Sequence, residues 1–172
     1  LSKLRILEEQ FTSLSPDKHP KMLVICEDTA VTPFVADFLK TEGLDDNDVM
    51  TIDSNKKGQV SAVEWGSIKQ KLFDLDNHAK PKVIVSVLML REGFDVSNVC
   101  VIVPLRSGEA PILLEQVLGR GLRLMWREHD YDEIKRENLI NLYEKRIAPA
   151  NYLDILSIVE HPAFERFYED LD

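Results

Sequence analysis

Gln116, Arg120 and Arg123 are the residues of this chain whose types and spacing could act together on a ligand. Positions i, i+4 and i+7 share one face of a helix. Leu113, Val117 and Leu124 form one edge of the opposite, apolar arc, with Leu114 and Leu118 at its centre. Leucines thus anchor a helix that pushes a glutamine and two guanidinium groups outward. Arginine is permanently charged, and its planar fork matches phosphate oxygens, so the chemistry on offer is recognition of a phosphate arriving from outside. The same spacing also fits a solvated helix surface, and the stretch alone does not choose between the two.

A second stretch is Leu88-Met89-Leu90-Arg91-Glu92-Gly93-Phe94-Asp95-Val96. Gly93 permits a tight turn, and Asp95 can return a carboxylate acceptor toward a strand end. Gly-x-Asp by itself is common turn chemistry. Other chemistries lack their residues. There is no G-x-x-x-x-G-K-[ST] phosphate loop. Gly119-Arg120-Gly121 begins like a dinucleotide fingerprint but continues to Leu124 where glycine is needed. No serine elbow occurs. His19, His78, His129 and His161 are scattered without ligand spacing, so no metal site is expected. Glu133, Lys135, Glu144 and Lys145 read as a salt-bridged helix surface in preference to a nuclease cluster.

The elements that must position these residues follow from the apolar pattern. Met22–Cys26, Asp48–Ile52, Val83–Val87 and Val99–Val103 are short runs of strand length, almost wholly apolar, the last ended by Pro104. Helical spacing separates them: a leading helix over 1–14, one from Thr32 as N-cap with Pro33 at the first position to Gly43, and one over about 61–75. Strands alternating with helices, the strands apolar throughout, predict an α/β fold with a mainly parallel sheet covered on both faces. Ligands in such folds collect beyond the carboxyl ends of the strands. The loops to watch are therefore 27–32, 53–58, 88–95 and 104–111. Residues 127–146 read as a mixed-charge solvated helix, 152–159 as a further strand, and 163–171 as a short terminal helix.

The 172 residues, 44% hydrophobic and 30% charged, fit one core-forming domain. A net charge of −9 argues against a free-standing nucleic-acid binder, while Arg120, Arg123 and Arg127 leave room for a local cationic site. Cys26 and Cys100 lie in apolar strands and read as buried, reduced thiols of a cytoplasmic protein. No run is apolar enough to span a membrane and no signal peptide is evident. The chain opens in Leu1-Ser2-Lys3 without methionine, as a piece of a longer protein would.

The order of these pieces carries a resemblance. A strand and loop with Arg91-Glu92-Gly93-Phe94-Asp95, then a strand, then Gln116-Val117-Leu118-Gly119-Arg120-Gly121-Leu122-Arg123 resembles the C-terminal RecA-like motor domain of superfamily 2 helicases. The first loop looks like motif V and the second matches motif VI, Gln-x-x-Gly-Arg-x-x-Arg; Met22–Cys26 with Glu27–Thr29 looks like motif IV. The runs 88–105, 110–127 and 155–164 are similar to the Res (restriction) subunit of type III restriction enzymes. One departure is Val87, where helicases carry a hydroxyl; the nearest hydroxyl is Ser86.

The resemblance implies a RecA-like three-layer sandwich over 21–126, preceded by a leading helix and connector (1–20) and followed by a helix/strand extension (127–172). It implies ATP with Mg²⁺, held mainly by an N-terminal RecA-like domain of the same polypeptide. Arg120 and Arg123 would be catalytic arginine fingers, and Gly93, Asp95, Gln116 and Gly119 nucleotide-binding. Thr29, Ser86 and Arg91 would contact the nucleic-acid backbone. The implied partners are double-stranded DNA and a modification (methyltransferase) subunit, and the whole would be a cytoplasmic helicase or translocase with endonuclease function. The alternatives are another superfamily 2 repair or RNA helicase, or a non-catalytic α/β interaction domain.

Overall fold

In the computed structural model, residues 1–52, 75–87, 98–105 and 125–159 are described. Among these residues five parallel strands form one sheet: β1 (Lys21–Ile25), β2 (Val49–Ile52), β3 (Val83–Ser86), β4 (Val99–Pro104) and β5 (Ser157–Ile158), in the order β2-β3-β1-β4-β5. The strands form where the sequence is apolar at consecutive positions, because a central parallel strand is buried on both faces. All five residues of β1 and all four of β3 are buried. The α/β fold with a parallel sheet is therefore as the alternation predicts.

The two faces separate by strand parity. Met22, Val24, Val83, Val85 and Val101 share one face and pack with Leu4, Leu7, Phe11 and Leu39 in a single core. Leu23, Ile25, Ile84 and Ile102 alternate with them and are likewise buried. Helix α1 (Ser2–Leu14) presents Leu4, Leu7 and Phe11, at most 2% exposed, to the first face. Each such burial stabilises by about 1.5–3 kcal/mol. The leading helix is thus part of the core. Ser15 ends it in an extended conformation, its amide donating to the Phe11 carbonyl at 2.7 Å.

Helix α2 (Thr32–Thr41) packs Leu39 beneath the same face. Its start corrects the expectation for Thr32, which is the first helical residue and not the cap. The Thr32 hydroxyl donates back to the Thr29 carbonyl (3.1 Å). The preceding turn is instead held by Asp28, whose Oδ1 accepts from the amides of Ala30 (2.7 Å) and Val31 (3.1 Å). An aspartate two and three residues before those amides closes the turn more directly than a threonine already in the helix. Gly43, at φ +96°, ends the helix as expected, in a region that side chains disfavour. Arg5 of α1 donates to the Glu42 carbonyl (2.6 Å), tying the two helices together.

The expected strand over 152–159 shrinks to Ser157–Ile158. Asp154 has φ +53°, a left-handed residue that an extended run cannot contain. The segment after Trp126 holds a 3₁₀ turn (His129–Tyr131), α3 (Asp132–Leu139) and a π turn (Ile140–Glu144). It is less solvated than its charge pattern implies, since Asn138 and Asn141 are buried. The expected helices over 61–75 and 163–171 lie outside the described residues, apart from a 3₁₀ turn at Leu75–Asn77.

Candidate functional site

The carboxyl ends of four strands stand level. Ile25 pairs with Ser86 on one side and Pro104 on the other, and Ile52 pairs with Ser86. Two further bonds continue this rim: the Cys26 amide to the Ser86 carbonyl (2.8 Å) and the Leu105 amide to the Ile25 carbonyl (2.7 Å). From it leave the 27–31 turn after β1, the 53–74 stretch after Ile52, the 88–97 stretch after Val87 and the 106–124 stretch after Leu105. These are the loops selected from sequence, and parallel topology brings their starting points to one edge. The expected site residues Arg91, Gly93, Asp95, Gln116, Gly119, Arg120 and Arg123 lie on two of those stretches, outside the described residues.

Two expected residues are described. Thr29 sits in the turn after β1, partly exposed, between exposed Asp28 and Ala30. Ser86 closes β3 at 1% exposure, so its hydroxyl meets a phosphate only if the strand end opens. Between the two, Thr29 is the hydroxyl with accessible surface. Charge on the described part of the rim is negative: Glu27 and Asp28 are exposed there, and 26–31, 52, 86–87 and 104–105 contain no lysine or arginine. A polyphosphate would be repelled by this part of the edge alone. In sequence, the next cationic residues expected at the site are Arg91 after β3 and Arg120 with Arg123 after β4.

Immediately after the arginine stretch the backbone is held on every side. The amides of Met125 (2.7 Å) and Trp126 (3.1 Å) both donate to Asp154 Oδ1. The Met125 carbonyl accepts from Lys18 Nζ (2.8 Å), and the Trp126 carbonyl from Lys135 Nζ. Lys135 also lies 2.9 Å from Asp154 Oδ2, with side chains only 22% and 8% exposed. Lys18 pairs with Glu128 at 2.9 Å, holding the Glu128 carboxyl below the usual range, and places its ammonium 5.1 Å from the Trp126 ring centroid. The indole, 0% exposed, meets Phe11 and Tyr131 edge-on at 4.9 Å and 4.6 Å. Sequence reasoning missed Lys18, Lys135 and Asp154 because they come from three separated segments. One signal was present: Asp154 is the lone charge within the apolar run Tyr152–Leu156.

Among the described residues, two concavities lie away from this edge. An apolar groove of about 300 Å³ beside α2 is lined by Met22, Val24, Phe34, Phe38, Val103 and Leu105 and offers no side-chain donor to a nucleotide. A cleft of about 700 Å³ at the amino ends of the strands is lined by Glu8, Glu9, Lys18, His19 and Lys82, with Glu8 and Lys82 paired at 2.9 Å. Among the described residues no group of three or more His, Cys, Asp or Glu is placed to hold a metal. Cys26 and Cys100 are buried and are not joined in a disulfide. No described helix is long and apolar enough to cross a membrane.

No family model and no curated protein matches the chain. Among solved structures it is similar to "Mss116p DEAD-box helicase domain 2 bound to an RNA duplex", with 16% identity and a TM-score of 0.45. The likeness covers 93% of this chain and 59% of that one, so the chain spans about three fifths of that neighbour's length.

Proposed function

We propose that this chain is the second motor domain of a superfamily 2 helicase or translocase and contributes Arg120 and Arg123 to ATP held by a preceding RecA-like domain. The observation that carries the reading is the level rim of β3, β1 and β4. The stretch with Gly93 and Asp95 starts from its β3 end, and the stretch with Gln116, Gly119, Arg120 and Arg123 from its β4 end. The described rim is acidic and has no phosphate loop, which fits a domain that completes a nucleotide site and does not hold one.

In this reading the arginines stabilise negative charge that develops during phosphoryl transfer, a contribution on the order of 10³–10⁵ in rate for arginine fingers. Gln116 and Gly119 shape their approach, and Gly93 and Asp95 form the nucleotide-facing turn. Thr29 and Arg91 contact the nucleic-acid backbone without reading sequence, and Ser86 joins them when the end of β3 is exposed. Magnesium and the ATP phosphates are bound chiefly by the partner domain. The runs 88–105, 110–127 and 155–164 favour the Res subunit of a type III restriction enzyme. That assigns duplex DNA as the track, a methyltransferase subunit as companion, an endonuclease activity elsewhere in the enzyme and a cytoplasmic location.

The test is nucleotide handling by residues 1–172 alone, followed by titration calorimetry and a phosphate-release assay. We expect neither turnover nor tight ATP binding. Robust ATP hydrolysis by this chain in isolation sinks the proposal. In the complete enzyme, stimulation by duplex RNA and not duplex DNA overturns the restriction-subunit assignment.

A further inference from the structure

We propose that Asp154, Lys135 and Lys18 are positioning residues that hold the Met125–Trp126 backbone as the fixed point from which Arg120 and Arg123 are presented. The inference rests on the arginine reading above. Four main-chain polar groups on two consecutive residues are each satisfied by a charged side chain. None of those side chains is a near neighbour in sequence: position 18 follows α1, 135 lies in α3, and 154 precedes β5.

Such a knot exceeds what a surface connection needs, since an exposed peptide is satisfied by water. Its charges are also mutually committed. Asp154 bridges the two amides and Lys135, and Lys18 joins the Met125 carbonyl, Glu128 and the Trp126 ring. Trp126 is locked between Phe11 of α1 and Tyr131, so the fixed point is also tied to the core. Arg123 lies only two residues before Met125. A catalytic group must be held within a fraction of an ångström of its productive place, and support from a second layer of residues supplies that.

The test uses the complete enzyme with its partner motor domain and measures nucleic-acid-stimulated ATP hydrolysis, thermal stability and exchange of the Met125 and Trp126 amides. The variants are Lys135→Met, Asp154→Asn and Arg123→Ala, with Lys82→Met as a control that loses an ion pair to α1 away from the knot. We expect Lys135→Met and Asp154→Asn to lower kcat by on the order of 10–10²-fold, with KM for ATP within about twofold. Amide exchange at 125–126 should accelerate in both. Lys82→Met should lose stability without that kcat change, and Lys135→Arg should recover part of the rate. If Arg123→Ala disables turnover while both knot variants keep wild-type kcat, this inference is overturned and the arginine reading stands. If Arg123→Ala and, made alongside it, Arg120→Ala are both silent, the arginine reading falls and takes this inference with it. A kcat loss in Lys82→Met equal to that in Lys135→Met also overturns it, by showing general destabilisation.

Discussion

Replacing Asp154 by alanine in the 172-residue chain should be among the most damaging single changes outside the hydrophobic core. Its Oδ1 accepts two amides, at 2.7 and 3.1 Å, and its Oδ2 faces Lys135 at 2.9 Å with the carboxylate 8% exposed. Hydrogen bonds to a charged partner contribute about 1.5–3 kcal/mol each, and removing one member of a largely buried pair costs about 3–5 kcal/mol because the other is stranded. The two figures overlap, so the cost is about 3–5 kcal/mol in all. Alanine at φ +53° adds about 1 kcal/mol of backbone strain. Asp154→Gly removes that strain and should recover about 1 kcal/mol. Asp154→Asn keeps a weaker, neutral acceptor for the amides but leaves the Lys135 charge without its partner, and should cost about 1.5–3 kcal/mol. Urea unfolding followed by circular dichroism measures all three. For a chain of this size the alanine variant should also melt lower by roughly 8–24 °C. An alanine variant within about 0.5 kcal/mol of wild type, the range of an ordinary surface substitution, refutes this placement of Asp154.

Other outcomes follow from the same structure. Phe11→Ala, which opens a hole against Trp126 at a 1%-exposed position, should cost about 3–5 kcal/mol, whereas Phe38→Ser, at a 60%-exposed position, should stay within about 0.5 kcal/mol in chemical denaturation. A small cost for Phe11→Ala contradicts the placement of α1 in the core. Two histidines should oppose each other in pH dependence. Asp132, by hydrogen bond and by charge, raises the pKa of His129 above 6.5, so its stabilisation is present below 6.5 and lost as pH rises through the folded value. Burial, then the Lys21 charge, lowers that of His19, so stability falls as pH drops from 6.5 toward the folded value. In melts between about pH 8 and about pH 5.5, His129→Gln should lose stabilisation on acidification and His19→Gln should escape a loss. Identical pH slopes in both variants and wild type refute this.

The sheet was readable because a strand buried on two faces leaves its mark at every position, as in Met22–Cys26 and Val83–Val87. The last strand misled for a local reason. Its apolar residues are real, with Leu153 buried, but the left-handed Asp154 breaks the run into a turn and two paired residues. Thr32 misled because threonine, proline and an apolar period signal a cap, while a side chain four positions earlier performs the turn. The charged stretch 127–146 hid a different fact: charge pattern alone cannot show that Lys135 turns inward to Trp126 and Asp154. The helix expected to carry Gln116, Arg120 and Arg123 lies outside the described residues. The knot that follows it was not legible in sequence, since its members meet only when α1, α3 and the approach to β5 have packed.

In the proposed function the two arginines act on a nucleotide held by another domain. The most direct measurement is nucleic-acid-stimulated ATP hydrolysis by the complete enzyme carrying Arg120→Ala or Arg123→Ala, with ATP affinity and folding measured alongside. Each variant is predicted to remain folded, to bind ATP within a few-fold of wild type, and to lose turnover by on the order of 10³-fold or more. Wild-type turnover in both folded variants would contradict the central claim.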